Sequence, residues 1–156
     1  MKRHKCDAFI IYEYSTGKTI ARDIKQGLER FGIATFVAPQ DVLPGGDEES
    51  IRLSALRKAK EIFIIITHGV MLRPGEVENE LKTALNAGKE ERIRPYRKKG
   101  ITSKKAVEFL RQLGINTKKQ CQEFEDVSEI IDDILARKTR GEYFAQFHKR
   151  TITKLV

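Results

Sequence analysis

The sequence predicts an α/β fold in which a parallel sheet is covered on both faces by helices. Glu61 to Thr67 (EIFIIIT) is apolar on both faces, as the strands of a covered parallel sheet are. Two further short apolar runs precede it, Lys5 to Tyr12 (KCDAFIIY) and Gly32 to Phe36. Helical patterns separate the three, and strands alternating with helices imply right-handed crossovers.

The elements follow in order. Lys5 to Tyr12 reads as the first strand. The first helix is predicted from about Lys18 to Phe31, with Ile20, Ile24, Leu28 and Phe31 on one face and Gly32 as its stop. The second strand leaves through a long polar loop, VAPQDVLPGG. A helix follows Pro44-Gly45-Gly46, with Asp47, Glu48 and Glu49 in a first turn that favours negative charge. Ile51, Ala55, Leu56 and Ala59 make its buried stripe. After the third strand, a helix from near Pro74 to before Gly88 turns Val77, Leu81, Ala84 and Leu85 inward. Ile93 to Tyr96 is a candidate fourth strand, although Arg92, Arg94 and Pro95 suit a central strand poorly. Ser103 to Leu113 reads as a helix with a Ser cap and a Gly114 stop. Gln120 to Phe124 reads as a short edge strand. Ser128 is the expected cap of a last helix that packs Ile130, Ile131, Ile134 and Leu135. The organisation expected is one domain over residues 1–138 and a basic tail or helix extension over 139–156.

The chain has 156 residues, enough for one domain with a real core. No apolar stretch approaches the roughly 20 residues of a membrane span. The basic N-terminus precedes too few apolar residues for a secretory leader, so the expected address is cytoplasmic. Cys6 and Cys121 alone make no disulfide framework, and no Cys/His spacing suggests zinc, so no metal is expected. The net charge of +8 gathers at Arg92, Arg94, Arg97, Lys98, Lys99, Lys104 and Lys105, and again from Arg137 to Lys154. No recognition motif accompanies it, so a solvated basic surface is the expected reading and a nucleic-acid partner is not.

Ligands of open parallel sheets bind outside the carboxyl ends of the strands. Glu80, on the helix that directly follows the third strand, belongs to that edge. Most helical glutamates only solvate a surface, and the first-turn dipole accounts for Glu76 and Glu78. Glu80 sits in the second turn and flanks the Val77/Leu81/Ala84 stripe, which solvation explains less easily. A second signal is Tyr14-Ser15-Thr16-Gly17-Lys18-Thr19. The Walker A spacing fails because position 12 is Tyr. A flavodoxin-type loop fits better, with helix N-terminal amides on an FMN phosphate. A Ser/Thr helix cap with a flexible Gly explains the same residues. A receiver domain needs an acidic pair after the first strand and an Asp after the third, and neither Tyr12-Glu13 nor Thr67-His68 supplies them.

Three features together resemble the Toll/interleukin receptor (TIR) domain family. One is the strand that ends in an aromatic and a polar loop, Tyr12 to Gly17. Another is the loop Asp41-Val42-Leu43-Pro44-Gly45, leading into a helix with Ile51 and Ala55 before Ala59. The last is Glu80, followed by T-A-L-x-x-G-K. The likeness covers Lys5 to Gly88 well and Glu90 to Arg137 loosely. It implies a flavodoxin-like three-layer fold with a five-stranded parallel sheet of order 2-1-3-4-5.

Some TIR domains cleave NAD at the nicotinamide–ribose bond, in signalling or immune defence, and others are non-catalytic, self-associating adaptors. The resemblance makes Glu80 the catalytic carboxylate and NAD the substrate, with no cofactor. It places Tyr12, Tyr14, Ser15, Gly17, Asp41, Leu43, Gly45 and Glu76 around the substrate, with His68 within reach. It also implies self-association through the Asp41 to Gly46 loop and pairing with other TIR domains. One departure stands out: NAD-cleaving relatives usually carry an aromatic four residues before the Glu, and here that residue is Glu76.

Overall fold

A computed structural model describes residues 6–37, 48–116 and 121–139. Five strands form one parallel sheet: β1 (Ala8–Ile11), β2 (Thr35–Phe36), β3 (Glu61–Ile66), β4 (Ile93–Lys98) and β5 (Gln122–Phe124). Their order is β2-β1-β3-β4-β5, the expected 2-1-3-4-5. All four pairings are parallel. Six α-helices connect and cover them: α1 (Tyr14–Glu29), α2 (Glu48–Lys58), α3 (His68–Leu72), α4 (Gly75–Asn86), α5 (Ser103–Gln112) and α6 (Val127–Thr139).

The pleat of the sheet divides the core in two. One face carries Phe9, Ile11, Ile62, Ile64 and Ile66 against Leu56 of α2, Val77 and Leu81 of α4, and Phe109 and Leu110 of α5. The other carries Ile10, Phe63, Ile65 and Tyr96 against Ile24 and Leu28 of α1 and Ile130 and Ile134 of α6. Every residue of β3 is buried, which is why its sequence does not alternate. Each fully buried Ile there contributes about 1.5–3 kcal/mol of transfer free energy.

The structure moves several expected boundaries. α1 begins at Tyr14, four residues before Lys18, because the Glu13 carboxylate caps it through the backbone N–H groups of Ser15 and Thr16. Thr102, not Ser103, caps α5, accepting from the Lys105 N–H at 3.2 Å. Ser128 lies inside α6, and Glu129 Oε2 binds the N–H groups of Glu125 and Asp126 at its start. The helix expected near Pro74 is α4, preceded by the short α3, which Thr67 caps through the Val70 N–H at 3.3 Å. Pro95 does lie in a strand with two neighbours. It pairs with Ile64 of β3, but β5 pairs with β4 only from Tyr96 onward. At Pro95 the strand is therefore still an edge on that side, where a missing N–H is tolerated.

The two cysteines are buried free thiols. The first basic cluster is largely tied down. Arg94 faces Glu61, Arg97 bonds Glu123 at 2.7 Å and the Ile101 carbonyl at 2.8 Å, and Lys99 bonds Glu125 at 3.1 Å. Arg137, from the second cluster, is buried. The tail beyond Thr139 lies outside the described residues. Among the described residues no helix is long and apolar enough to cross a membrane.

Candidate active site between α2 and α4

α4 carries the candidate carboxylate. Val77, Leu81 and Ala84 repeat at helical spacing and press α4 onto the sheet. That spacing turns the adjoining face, with Asn79, Glu80 and Thr83, towards α2. Across from it α2 presents Arg52, Leu53 and Leu56, again at i, i+1 and i+4. A cavity of about 630 Å³ opens between the two rows. This is within the 300–1,000 Å³ of small-molecule sites. Glu80 is 9% exposed and borders this cavity. Arg52 and Thr83 line the same cavity.

The lower end of α2 is secured by Lys89, the lysine of the T-A-L-x-x-G-K segment. Its ammonium reaches the carbonyls of Arg57 and of Ala59, the latter at 3.1 Å. Arg92 adds a bond to the Ala59 carbonyl, also at 3.1 Å. These cations satisfy carbonyls that the end of a helix leaves open. Burial, with Arg92 beside it, draws the Lys89 ammonium below the ordinary lysine pKa. The segment after α4 thus fixes both walls of the cavity relative to each other.

A second polar cluster lies where β1 and β3 end. Glu13 Oε1 accepts from Ser15 Oγ at 2.5 Å, and Glu13 Oε2 accepts from Thr16 Oγ1 at 2.6 Å. Thr16 Oγ1 is 2.7 Å from Thr67 Oγ1, and Arg73 Nη2 donates to Ser15 Oγ at 3.0 Å. Burial alone would raise the Glu13 pKa, but the bonds from Ser15 and Thr16 outweigh it and hold the carboxyl at about 2. A Cβ added at Gly69 would lie 2.7 Å from Glu13 Oε2 and closer still to Thr16. The cluster is a knot that ties α1 to α3.

The expected site residues therefore separate. Glu80 borders the cavity. Tyr12 is buried in the α1/α6 face, with its Cβ 3.1 Å from where a Cβ on Gly17 would sit, so Tyr12 and Gly17 pack on each other and not at an open mouth. Tyr14 is 48% exposed, and the Lys18 ammonium covers its ring 5.0 Å from the centroid. Ser15 is exposed but engaged by Glu13 and Arg73. The Ser15 and Thr16 amides that a phosphate loop would offer are taken by the Glu13 carboxylate. His68 is exposed in the first turn of α3. Glu76 lies in the first turn of α4, and its side chain is outside the described residues. Asp41, Leu43 and Gly45 are also outside them. Sequence reasoning missed Arg52, Lys89 and Glu13. Only Lys89 carried a local signal, as the lysine that closes the T-A-L-x-x-G-K segment.

No protein-family model matches the chain, and neither does any curated protein. Solved structures do. The TIR domains of the activated Roq1 resistosome, which recognizes the pathogen effector XopQ, superpose with a TM-score of 0.65 at 14% identity, over 85% of this chain and 98% of that one. A metazoan TIR-STING receptor from C. gigas, in complex with 2',3'-cGAMP, gives 0.63 at 21% identity. The match covers 85% of this chain but only 39% of the receptor, which is much the longer molecule. The TIR domain of the Toll-related receptor TRR-2 from Hydra magnipapillata gives 0.61 at 17% identity, over 87% and 99% of the two chains.

Proposed function

We propose that this chain, which has the TIR-domain fold, is an NAD nucleosidase that cleaves the nicotinamide–ribose bond with Glu80 as its catalytic carboxylate. The observation that carries the reading is the position of Glu80: 9% exposed, on α4, at the wall of a cavity of about 630 Å³. Burial of a carboxylate beside a ligand-sized space is the physical signature of a functional site rather than of a solvated helix face.

The chemistry needs little more than this group. Nicotinamide departs as a neutral molecule from a cationic pyridinium, so the leaving group needs no general acid. As the C–N bond breaks, the ribose carbon becomes oxocarbenium-like. The Glu80 carboxylate holds the ribose hydroxyls and stabilises the positive charge. Water then adds to that carbon and loses a proton, giving ADP-ribose. If a ring nitrogen of adenine adds instead, the product is cyclic. Signalling or defence is the setting this activity fits, in a cytoplasmic protein that self-associates through the segment from Asp41 to Gly46.

A second reading, a non-catalytic adaptor that signals by assembly alone, draws on Glu76, which stands where NAD-cleaving relatives carry an aromatic. Incubating concentrated protein with NAD and quantifying nicotinamide separates the two. The nucleosidase reading predicts release by the wild type and release lowered about 10²–10³-fold in Glu80→Gln with the same circular dichroism. No release by the wild type, even with crowding agents that promote assembly, would leave the adaptor.

A further inference from the structure

Lys89 is not one of the residues that line the cavity, yet it joins the two walls. Its backbone belongs to the end of α4. The Gly88 N–H bonds the Leu85 carbonyl and the Lys89 N–H bonds the Ala84 carbonyl, both at 3.0 Å, and Gly88 turns the chain with φ +71. A paired turn of this kind fixes the residues just past a helix, and its left-handed position favours glycine. The Lys89 side chain belongs to the end of α2. The residue is 8% exposed, and its ammonium bonds the carbonyls of Arg57 and Ala59, next along the chain from the cavity-lining Leu56. We infer that Lys89 is a positioning residue for Glu80: a strut from the end of α4 to the end of α2 that sets the separation of the walls, and with it where the carboxylate stands against the substrate. The inference rests on the reading of Glu80 as the reacting carboxylate and names what holds it in place.

The strut acts at a distance. Lys89 comes nine residues after Glu80, and the six of these still within α4 already carry the chain roughly 9 Å along the helix. Its influence on the carboxylate therefore passes through the two helices. The link is a strong one, because the carbonyls it meets carry the negative end of the α2 dipole and a charged donor bonds them more firmly than a neutral one. Arg92 adds a bond to the Ala59 carbonyl at 3.1 Å. The same joint accounts for the T-A-L-x-x-G-K segment. Ala84 and Leu85 accept, Gly88 turns, and Lys89 reaches across. Thr83 lines the cavity while its hydroxyl bonds the Asn79 carbonyl at 2.9 Å. A change far from the chemistry that misplaces a reacting group by about 1 Å costs about 10²-fold in rate.

Two measurements test this, one of them without turnover. Spin labels on Ser54→Cys and Lys82→Cys, exposed positions on the two helices, read the wall separation by pulsed EPR, and the native thiols are buried. The expected result is one narrow distance with Lys89 or Lys89→Arg, and a longer or broadened one with Lys89→Met. With NAD, unlabelled Lys89→Met loses about 10²-fold in kcat and changes less in KM, at a folded fraction equal to the wild type, and Lys89→Arg recovers at least about tenfold of that loss. Arg92→Met removes one bond of the joint and leaves the ammonium, so it moves both readouts the same way by less. An unchanged distance in Lys89→Met overturns the inference, and where that variant does not fold, an unchanged distance in Arg92→Met does. So does a kcat that falls only in proportion to the folded fraction. A changed distance in a protein that releases no nicotinamide keeps the strut and removes the nucleosidase reading. Glu80-dependent release with a wild-type kcat in Lys89→Met does the reverse.

Discussion

Among the described residues two glutamates are buried, one at the start of β3 and one on α4 beyond it, and they differ in access. Glu61, the first residue of β3, is 2% exposed. Arg137 of α6 meets its carboxylate with bonds of 2.7 and 3.1 Å, and Arg94 approaches to 3.6 Å. Tyr96 extends the set, donating to Asp133 at 2.7 Å and accepting from Arg137 at 3.0 Å. Burial raises the Tyr96 pKa, with Asp133 adding to the effect and Arg137 opposing it. Burial opposes the charge of Arg137, yet Tyr96 and Glu61 hold it protonated more firmly than an ordinary arginine. Glu80 follows the carboxyl end of β3 and borders a cavity that a solute can enter. Burial of a charge is common to both. What differs is access: the cavity between α2 and α4 is lined by Glu80 and not by Glu61.

The sharpest test of the sealed end is to remove one partner. Arg137→Met leaves Glu61 charged and enclosed, and the expected cost is about 3–5 kcal/mol in urea unfolding. Glu61→Leu combined with Arg137→Met should recover most of that loss, because an apolar pair of similar volume carries no desolvation penalty. If the single variant unfolds like the wild type, the pair is not the lock described here.

At the open end, Glu80→Gln should lower nicotinamide release by about 10²–10³-fold, in the range seen when one group that stabilises transition-state charge is removed. Its unfolding midpoint should stay within the range of a surface change. A large stability loss would move Glu80 into the same class as Glu61.

The knot around Glu13 lies between these extremes. Gly69→Ala drives a methyl group into Thr16 and Glu13, and overpacking of this kind costs about 1–3 kcal/mol. A smaller effect is one of pH. The Glu13 pKa is about 2 in the folded chain against 4.5 ordinarily, so its bonds add stability above the ordinary value, and this is lost as pH falls towards 2. Urea midpoints at pH 6 and pH 2.5 should fall further apart in the wild type than in Glu13→Gln. Equal differences would mean that the carboxylate is not held by Ser15 and Thr16.

The contrast also marks what could be read from the chain. β3, buried along its whole length, announces itself as an unbroken apolar run, and with it come the alternation and the position of Glu80. The strand β4 is obscured because Pro95 and two arginines read as a surface, while the relief comes from β5 starting one residue later and from Glu61, both distant in sequence. α1 starts early because a glutamate caps it, and Glu is not among the side chains favoured at that position. α3 is one turn long with Gly69 inside it, too short to show a period. Tyr12 reads as a loop aromatic, yet its ring turns into the core against Gly17. The facing of Arg52 and Glu80 depends on how α2 and α4 pack, and no local pattern contains it.

One experiment addresses both ends together: nicotinamide release from NAD and urea unfolding, measured on the wild type, Glu80→Gln and Glu61→Gln. The account predicts a crossed result. Glu80→Gln loses release and keeps its unfolding midpoint, while Glu61→Gln loses stability and keeps release in proportion to its folded fraction. Release that survives Glu80→Gln, or a shared loss of stability in both variants, would contradict it.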